Sequence, residues 1–238
     1  MSWVVANWDM IWSLTLTHVQ LSLPPIIIGF LISLPLGWLA HRYRWSRGVL
    51  LTVSGILYAI PSLPLFVLMP SLIGTKVLDP ANVVIALTIY AVALLVRTIA
   101  DALDAVDAGV RQSAQAVGFS TGQRFWRVEF PLAGPLMLAG VRVVSASTIS
   151  LLSVGALIGV TNLGYLFTDG YNRQFPIEIL TGIVATVVIA VVFDVLIVFL
   201  GRLLMPWTRI SSKSAIRKRR ASAEAIELET ATAHGGVA

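Results

Sequence analysis

The sequence predicts an all-α membrane protein with five transmembrane helices, and three observations carry that prediction. Of the 238 residues, 57% are hydrophobic and 12% charged, where soluble domains carry about 25% charged residues; mean hydropathy is +0.85. Five stretches are long and apolar enough for a bilayer, which takes roughly 20 residues to cross. Lys and Arg gather on one side of those stretches, as the positive-inside rule requires.

The elements run as follows. Trp3 to Thr17 holds Trp3, Trp8 and Trp12 near Asn7 and Asp9. Its apolar run is short for a span, and tryptophans favour the headgroup zone. Residues 1–17 are therefore expected to form an N-terminal interfacial helix, with a sixth span as the alternative. No Lys or Arg precedes Arg42, so the basic start of a signal peptide is missing and the segment is expected to be retained. Spans follow at about Val19 to Ala40, Gly48 to Ile73, Ala81 to Ala100, Leu136 to Val160 and Ile177 to Met205, within a membrane domain of residues 18–209. Span two reads Tyr58-Ala59-Ile60-Pro61-Ser62-Leu63-Pro64, with Pro70 beyond. Each proline removes a backbone donor, and in lipid the freed carbonyls need partners. Two readings stand: a helix lining a water-filled path, or a kink used for packing. Residues 210–238 read as a disordered tail whose Arg217-Lys218-Arg219-Arg220 run could meet anionic membrane lipid.

Orientation follows from the basic residues. Thirteen of the seventeen fall in three places: Arg42, Arg44 and Arg47; Arg111, Arg124 and Arg127; and Arg202, Arg209, Lys213 and Arg217 to Arg220. Lys76 and Arg173 lie on the other face, and Arg97 and Arg142 in or near spans. The rule places the N-terminus outside and the C-terminus in the cytoplasm. The basic pI of about 10.0 is thus read as a cytoplasmic face, not as a nucleic-acid surface.

Residues 101–135 form the one long cytoplasmic connection. Leu103, Val106, Val110, Ala114 and Val117 recur at helical spacing. Asp101, Asp104 and Asp107 suit the N-terminal end of such a helix, and Asp107 is four residues from a partner in Arg111. Gly118 breaks the helix. Ser120-Thr121-Gly122-Gln123 fits a capping box for a second helix, Thr121 to Phe130, which Pro131 is expected to stop. Phe125, Trp126, Val128 and Phe130 make this helix apolar. It reads either as an amphipathic pair packed on its own spans or as a docking site for a cytoplasmic partner.

Gln112-Ser113-Ala114, then Gly118, then Val128-Glu129-Phe130-Pro131 resembles the coupling-loop motif of ABC importer permeases: Glu-Ala-Ala, three residues, Gly, nine residues, Ile-x-Leu-Pro. The spacing matches throughout, with Gln112 for Glu, Ser113 for Ala, Val128 for Ile and Phe130 for Leu. Ile60 to Leu63 with Pro70, Tyr90 to Thr98, Leu157 to Gly164 and the helix holding Asp194 and Arg202 resemble the osmoprotectant permeases for glycine betaine, carnitine and choline. Methionine importer permeases share much of the pattern. The resemblance implies a type I ABC importer fold of methionine-permease kind. It implies a cytoplasmic ABC ATPase dimer, a second permease subunit, identical or homologous, and an extracytoplasmic solute-binding protein as partners. It assigns ATPase coupling to Gln112, Ser113, Ala114, Gly118, Phe125, Trp126 and Pro131.

Arg142 and Asp194 are the deepest charges, at comparable depths, and read as an intramembrane ion pair, either a buried tie between helices or a gate. Tyr58, Pro61, Ser62, Ser150 and Ser153 are candidates for the translocation path; packing is the alternative role for such polar residues. With no cysteine, disulfides and thiolate catalysis are excluded. His18, His41 and His234 lack ligand spacing, so no metal site or cofactor is expected. No G-x-x-x-x-G-K-[ST] loop occurs, so this chain is expected to carry no ATPase and no other catalytic residues. An ion-coupled carrier would need intramembrane acids and inverted repeats; Asp194 is the one candidate acid.

Overall fold

The computed structural model describes residues 2–207; the basic tail beyond lies outside them. The chain divides into residues 1–198 and 199–238, and the packing below concerns the first. Its helices are α1 (Ser2–Ala6), α2 (Trp8–Arg42), α3 (Arg44–Ala59), α4 (Ser62–Ile73), α5 (Pro80–Asp104), α6 (Ala108–Ala116), α7 (Thr121–Arg124), α8 (Phe130–Leu152), α9 (Tyr165–Asn172) and α10 (Pro176–Leu204). A π turn, Phe125–Glu129, joins α7 to α8, and a 3-10 stretch, Ser153–Ile158, extends α8. Among the described residues, four helices are long and apolar enough to cross a membrane, or five if the α3–α4 pair is one broken span.

No helix boundary falls at Thr17. Trp8 to Arg42 is one helix of 35 residues, about 52 Å long at 1.5 Å per residue, so it overruns a hydrocarbon core of roughly 30 Å. The separate helix shrinks to Ser2–Ala6. Pro24 and Pro25 lie inside α2 without ending it, as packing by neighbouring helices permits in membranes.

α5 is the central post, and glycine lets its neighbours approach it. Gly29, Ser33 and Gly37 recur every fourth residue on α2 and are all buried. A β-carbon at Gly29 would stand 2.5 Å from the Ala91 β-carbon, and one at Gly37 2.6 Å from Ile99. On α8, a β-carbon at Gly140 would stand 2.4 Å from the Thr98 methyl. Membrane helices gain little from hydrophobic burial against each other, so such close backbone packing supplies the attraction. Asp79 caps α5, accepting from the Ala81 N–H at 2.9 Å, with Pro80 at its first position. Buried Asn82 donates to the Lys76 carbonyl at 2.8 Å and holds the preceding loop.

Asp101 and Asp104 end α5 instead of starting a helix, because α5 runs through Asp104 and the next helix begins at Ala108. Acids oppose the dipole at a helix C-terminus. Pairing offsets this: the Arg47 guanidinium reaches Asp101 at 2.8 Å and Asp104 at 2.5 Å, and His41 meets Asp104 at 2.5 Å. These contacts clamp the α2–α3 corner to the foot of α5. Asp107 turns to the backbone, capping α6 through the Gly109 and Val110 N–H groups.

Leucine at Gly29 is expected to force α2 from α5 and cost about 1–3 kcal/mol, while leucine at Gly55, which faces open space, is expected to be neutral. The check is the thermal midpoint of each purified variant; equal midpoints would contradict the packing.

Candidate functional site

The two-helix segment between α5 and α8 is built around Gly118. α6 ends at Ala116, and Gly118 takes φ +92°, a conformation that costs other residues roughly 1–2 kcal/mol. Ser120 then starts α7 with a full capping box, its hydroxyl accepting from the Gln123 N–H and the Gln123 side chain from the Ser120 N–H. Pro131 does not stop the helix that follows. The turn ahead of it widens to a π turn, with the Phe130 N–H bonded to the Phe125 carbonyl, and Pro131 falls in the first turn of α8, where its missing donor is harmless. The second short helix is therefore continuous with a membrane span, while α6 is set off from it by the Gly118 turn. Arg124 bridges the π turn to buried Glu129 at 2.7 Å.

The residues to which the resemblance assigns coupling divide by burial. Gln112, Ser113 and Gly118 are exposed, and Trp126 is 60% exposed. Ala114 and Phe125 are buried and Pro131 is half-buried. Phe125 stacks edge-on against Trp38 of α2 at 6.1 Å and against Trp126 at 5.0 Å. It anchors the segment, while Trp126 and Val117 face outward.

Two backbone breaks lie deeper in the bundle, and each is met by a side chain from a straight neighbour. α3 and α4 meet at 103°. Pro64 has no N–H to give the Ile60 carbonyl, and the Tyr90 hydroxyl of α5 donates to it instead. At the end of α8 the Ser153 N–H turns to the Ser150 carbonyl. The freed Ile149 carbonyl accepts from Nε2 of buried His18 at 3.1 Å, and Nδ1 of the same ring accepts from the Leu163 N–H at 3.3 Å. These roles require the neutral imidazole protonated at Nε2. Of the path candidates, Tyr58 packs edge-on against Tyr90 at 6.1 Å. Pro61 and Ser150 are exposed, Ser62 and Ser153 half-buried, and the Ser153 hydroxyl has no partner. Ile60, Tyr90, Leu151 and Val154 share one apolar cluster, so the two breaks meet around α5.

Arg142 of α8 and Asp194 of α10 meet in a two-bond fork, at 2.5 and 2.9 Å. Burial expected for a tie between helices is not seen: the side chains are 44% and 40% exposed, because both project from outward faces of their helices. At the bundle's far end Arg173 bonds Asp169 at 3.0 Å. That bond holds the guanidinium above its ordinary pKa. Fully buried Glu178 lies 3.6 Å from Arg173, its oxygens without a hydrogen bond.

This arrangement has counterparts among known proteins. The family described as binding-protein-dependent transport system inner membrane component matches residues 26–210. The chain belongs to that family. It is therefore a multi-pass permease subunit of an ABC importer, not an enzyme, and ATP is hydrolysed by a partner ATPase. Among relatives, it is 32% identical to an osmoprotectant import permease protein (OsmW) of Salmonella typhimurium over 82% of this chain and 91% of that one. It is 28% identical to a choline transport system permease protein (OpuBB) of Bacillus subtilis over 81% and 87%. A solved inward-facing methionine ABC transporter superposes with TM-score 0.68 at 20% identity, over 84% of this chain and 97% of that one. The permease thus has the type I importer fold.

His18, Tyr90, Asn82, Glu129 and Glu178 were not singled out from the sequence as polar ties. Only Pro64 left a signal, since a proline in a span announces a carbonyl in need of a donor. Replacing Tyr90 by Phe is expected to leave the Ile60 carbonyl unpaired and destabilise the permease by about 1–3 kcal/mol. Thermal unfolding of the purified protein checks this; an unchanged midpoint would show that the hydroxyl does not hold the break.

Proposed function

We propose that the permease translocates a compact quaternary amine such as glycine betaine, choline or carnitine, and that residues 101–135 receive the ATPase. The observation that carries the coupling is the outward face of this segment: Gln112, Ser113 and Val117 are exposed before the Gly118 turn, and Trp126 is exposed after it, on the π turn that runs into α8. A push on Trp126 is delivered to a membrane span through an unbroken helical run. The solute class rests on the relatives' names, together with chemistry: quaternary ammonium ions favour aromatic faces. Tyr58 stands at the broken span, with Pro61, Ser62, Ser150 and Ser153 as the remaining path residues.

The segment faces the cytoplasm in this reading, as does the Arg42 to Arg47 corner, and the solute-binding protein delivers from the face bearing Arg173. Two permease chains enclose the route, since α10 alone buries only 11% of its apolar window within its own chain. The second chain is identical or homologous.

The test is uptake of labelled glycine betaine by the complete importer. Choline, carnitine and unlabelled betaine are expected to compete, and methionine is not. In the same system Gly118→Val, which strains the left-handed turn, is expected to leave permease levels unchanged while ATPase copurification and uptake fall. Strong competition by methionine alone would move the solute class. Full copurification of Gly118→Val with normal uptake would overturn the docking claim.

A further inference from the structure

Arg142 and Asp194 stand where lipid is expected. Arg142 lies about 18 Å along α8 from Phe130, and Asp194 about 27 Å along α10 from Pro176; Val141, Val143, Phe193 and Val195 flank them. Yet both side chains are nearly half exposed. Charged groups at this depth face a bundle interior or a water-filled cavity, not acyl chains. Their fork uses two guanidinium donors and two carboxylate sites, while a guanidinium has five donors and a carboxylate about four acceptor sites. The remainder needs water or polar protein.

The neighbours favour water. Ala139, Arg142, Ala146 and Ser150 fall on one exposed sector of α8, at steps of three and four residues. Small side chains there cannot supply the missing bonds, and stripping water from an ion pair against a dry partner face is costly. Val143 and Leu136 border that sector on one side, also exposed and suited to lipid, and exposed Leu132 closes it toward Phe130, at the same angle as Ser150. The small and polar sector ends at Ser150, beside the cluster where the break of span two meets the end of α8.

We propose that Arg142, Asp194 and the Ala139–Ala146–Ser150 sector line the aqueous solute route, with the ion pair as a hydrated constriction in it. The proposal rests on the reading of this chain as one of two permease subunits around that route. The class of solute it suits is a small zwitterion or cation that stays hydrated as it passes.

The native chain has no cysteine, so single thiols report this surface. Ala146→Cys, Ser150→Cys and Leu196→Cys are placed in the assembled importer in nanodiscs, where both bilayer faces are open to a charged methanethiosulfonate. Leu196 is exposed, two residues from Asp194 and so on the opposite side of α10. Thiols in water ionise and react, whereas thiols in apolar surroundings do not. Both α8 variants are expected to react roughly tenfold or more faster than Leu196→Cys. In proteoliposomes the adduct on Ala146→Cys is expected to block uptake, and treatment of Leu196→Cys to leave it intact. Reaction of both α8 variants as slow as that of Leu196→Cys would overturn the aqueous surface. Fast reaction with undiminished uptake would overturn its place in the route. The labelling rates need no transported solute, so a wrong solute class leaves this test standing.

Discussion

The close approach of α2 and α8 to α5 is the contact on which the remaining structure depends. It exists because Gly29, Ser33, Gly37 and Gly140 present almost no side chain where Ala91, Ile99 and Thr98 come forward. In lipid there is little hydrophobic gain from pairing two apolar helices, so distance decides the attraction. With α5 held as a post, its polar side chains become fixed points. Asn82 holds the loop at its start, Tyr90 holds the broken span at its middle, and Asp101 and Asp104 hold the α2–α3 corner at its foot.

A second consequence concerns the segment after α5. It is attached at both ends to rigid elements. Phe125 packs on Trp38, Arg124 reaches across the π turn to Glu129, and the turn itself runs into α8. Exposed Trp126 sits on this mount, and exposed Val117 lies across the Gly118 turn from it. In the proposed coupling, load on Trp126 passes to α8 through the π turn and to α2 through the Phe125–Trp38 contact. Glu129 is also a liability: removing Arg124 leaves its buried carboxylate unpaired, which is typically worth 3–5 kcal/mol.

The sequence disclosed what is local. Apolar runs marked the spans, Pro61 and Pro64 marked the break, and Gly118 with Ser120 and Gln123 marked the turn and cap, because each depends on residues a few positions apart. Three expectations failed for one reason: a local rule gave way to context. Pro131 stops no helix because a π turn makes room for it. Asp101 and Asp104 sit at a helix end that disfavours them because Arg47 and His41 come from elsewhere. Trp8 to Thr17 joins α2 because no residue there breaks the helix. What stayed hidden is non-local. His18 serves a carbonyl 131 positions away, and nothing in its neighbourhood distinguishes it from a surface histidine. The role of Gly29, Ser33 and Gly37 is non-local too, because it depends on which helix packs against them.

The central claim is that the outward face of the Gly118 segment receives the ATPase that drives transport. Photocrosslinking tests it most directly, with a benzoylphenylalanine in place of Trp126 or, as control, of Trp12, each in the purified importer complex. Both tryptophans are more than half exposed, at different ends of the fold. The expected result is a covalent adduct to the ATPase from position 126 and none from position 12. No ATPase adduct from position 126 in an intact, hydrolysing complex would contradict the account.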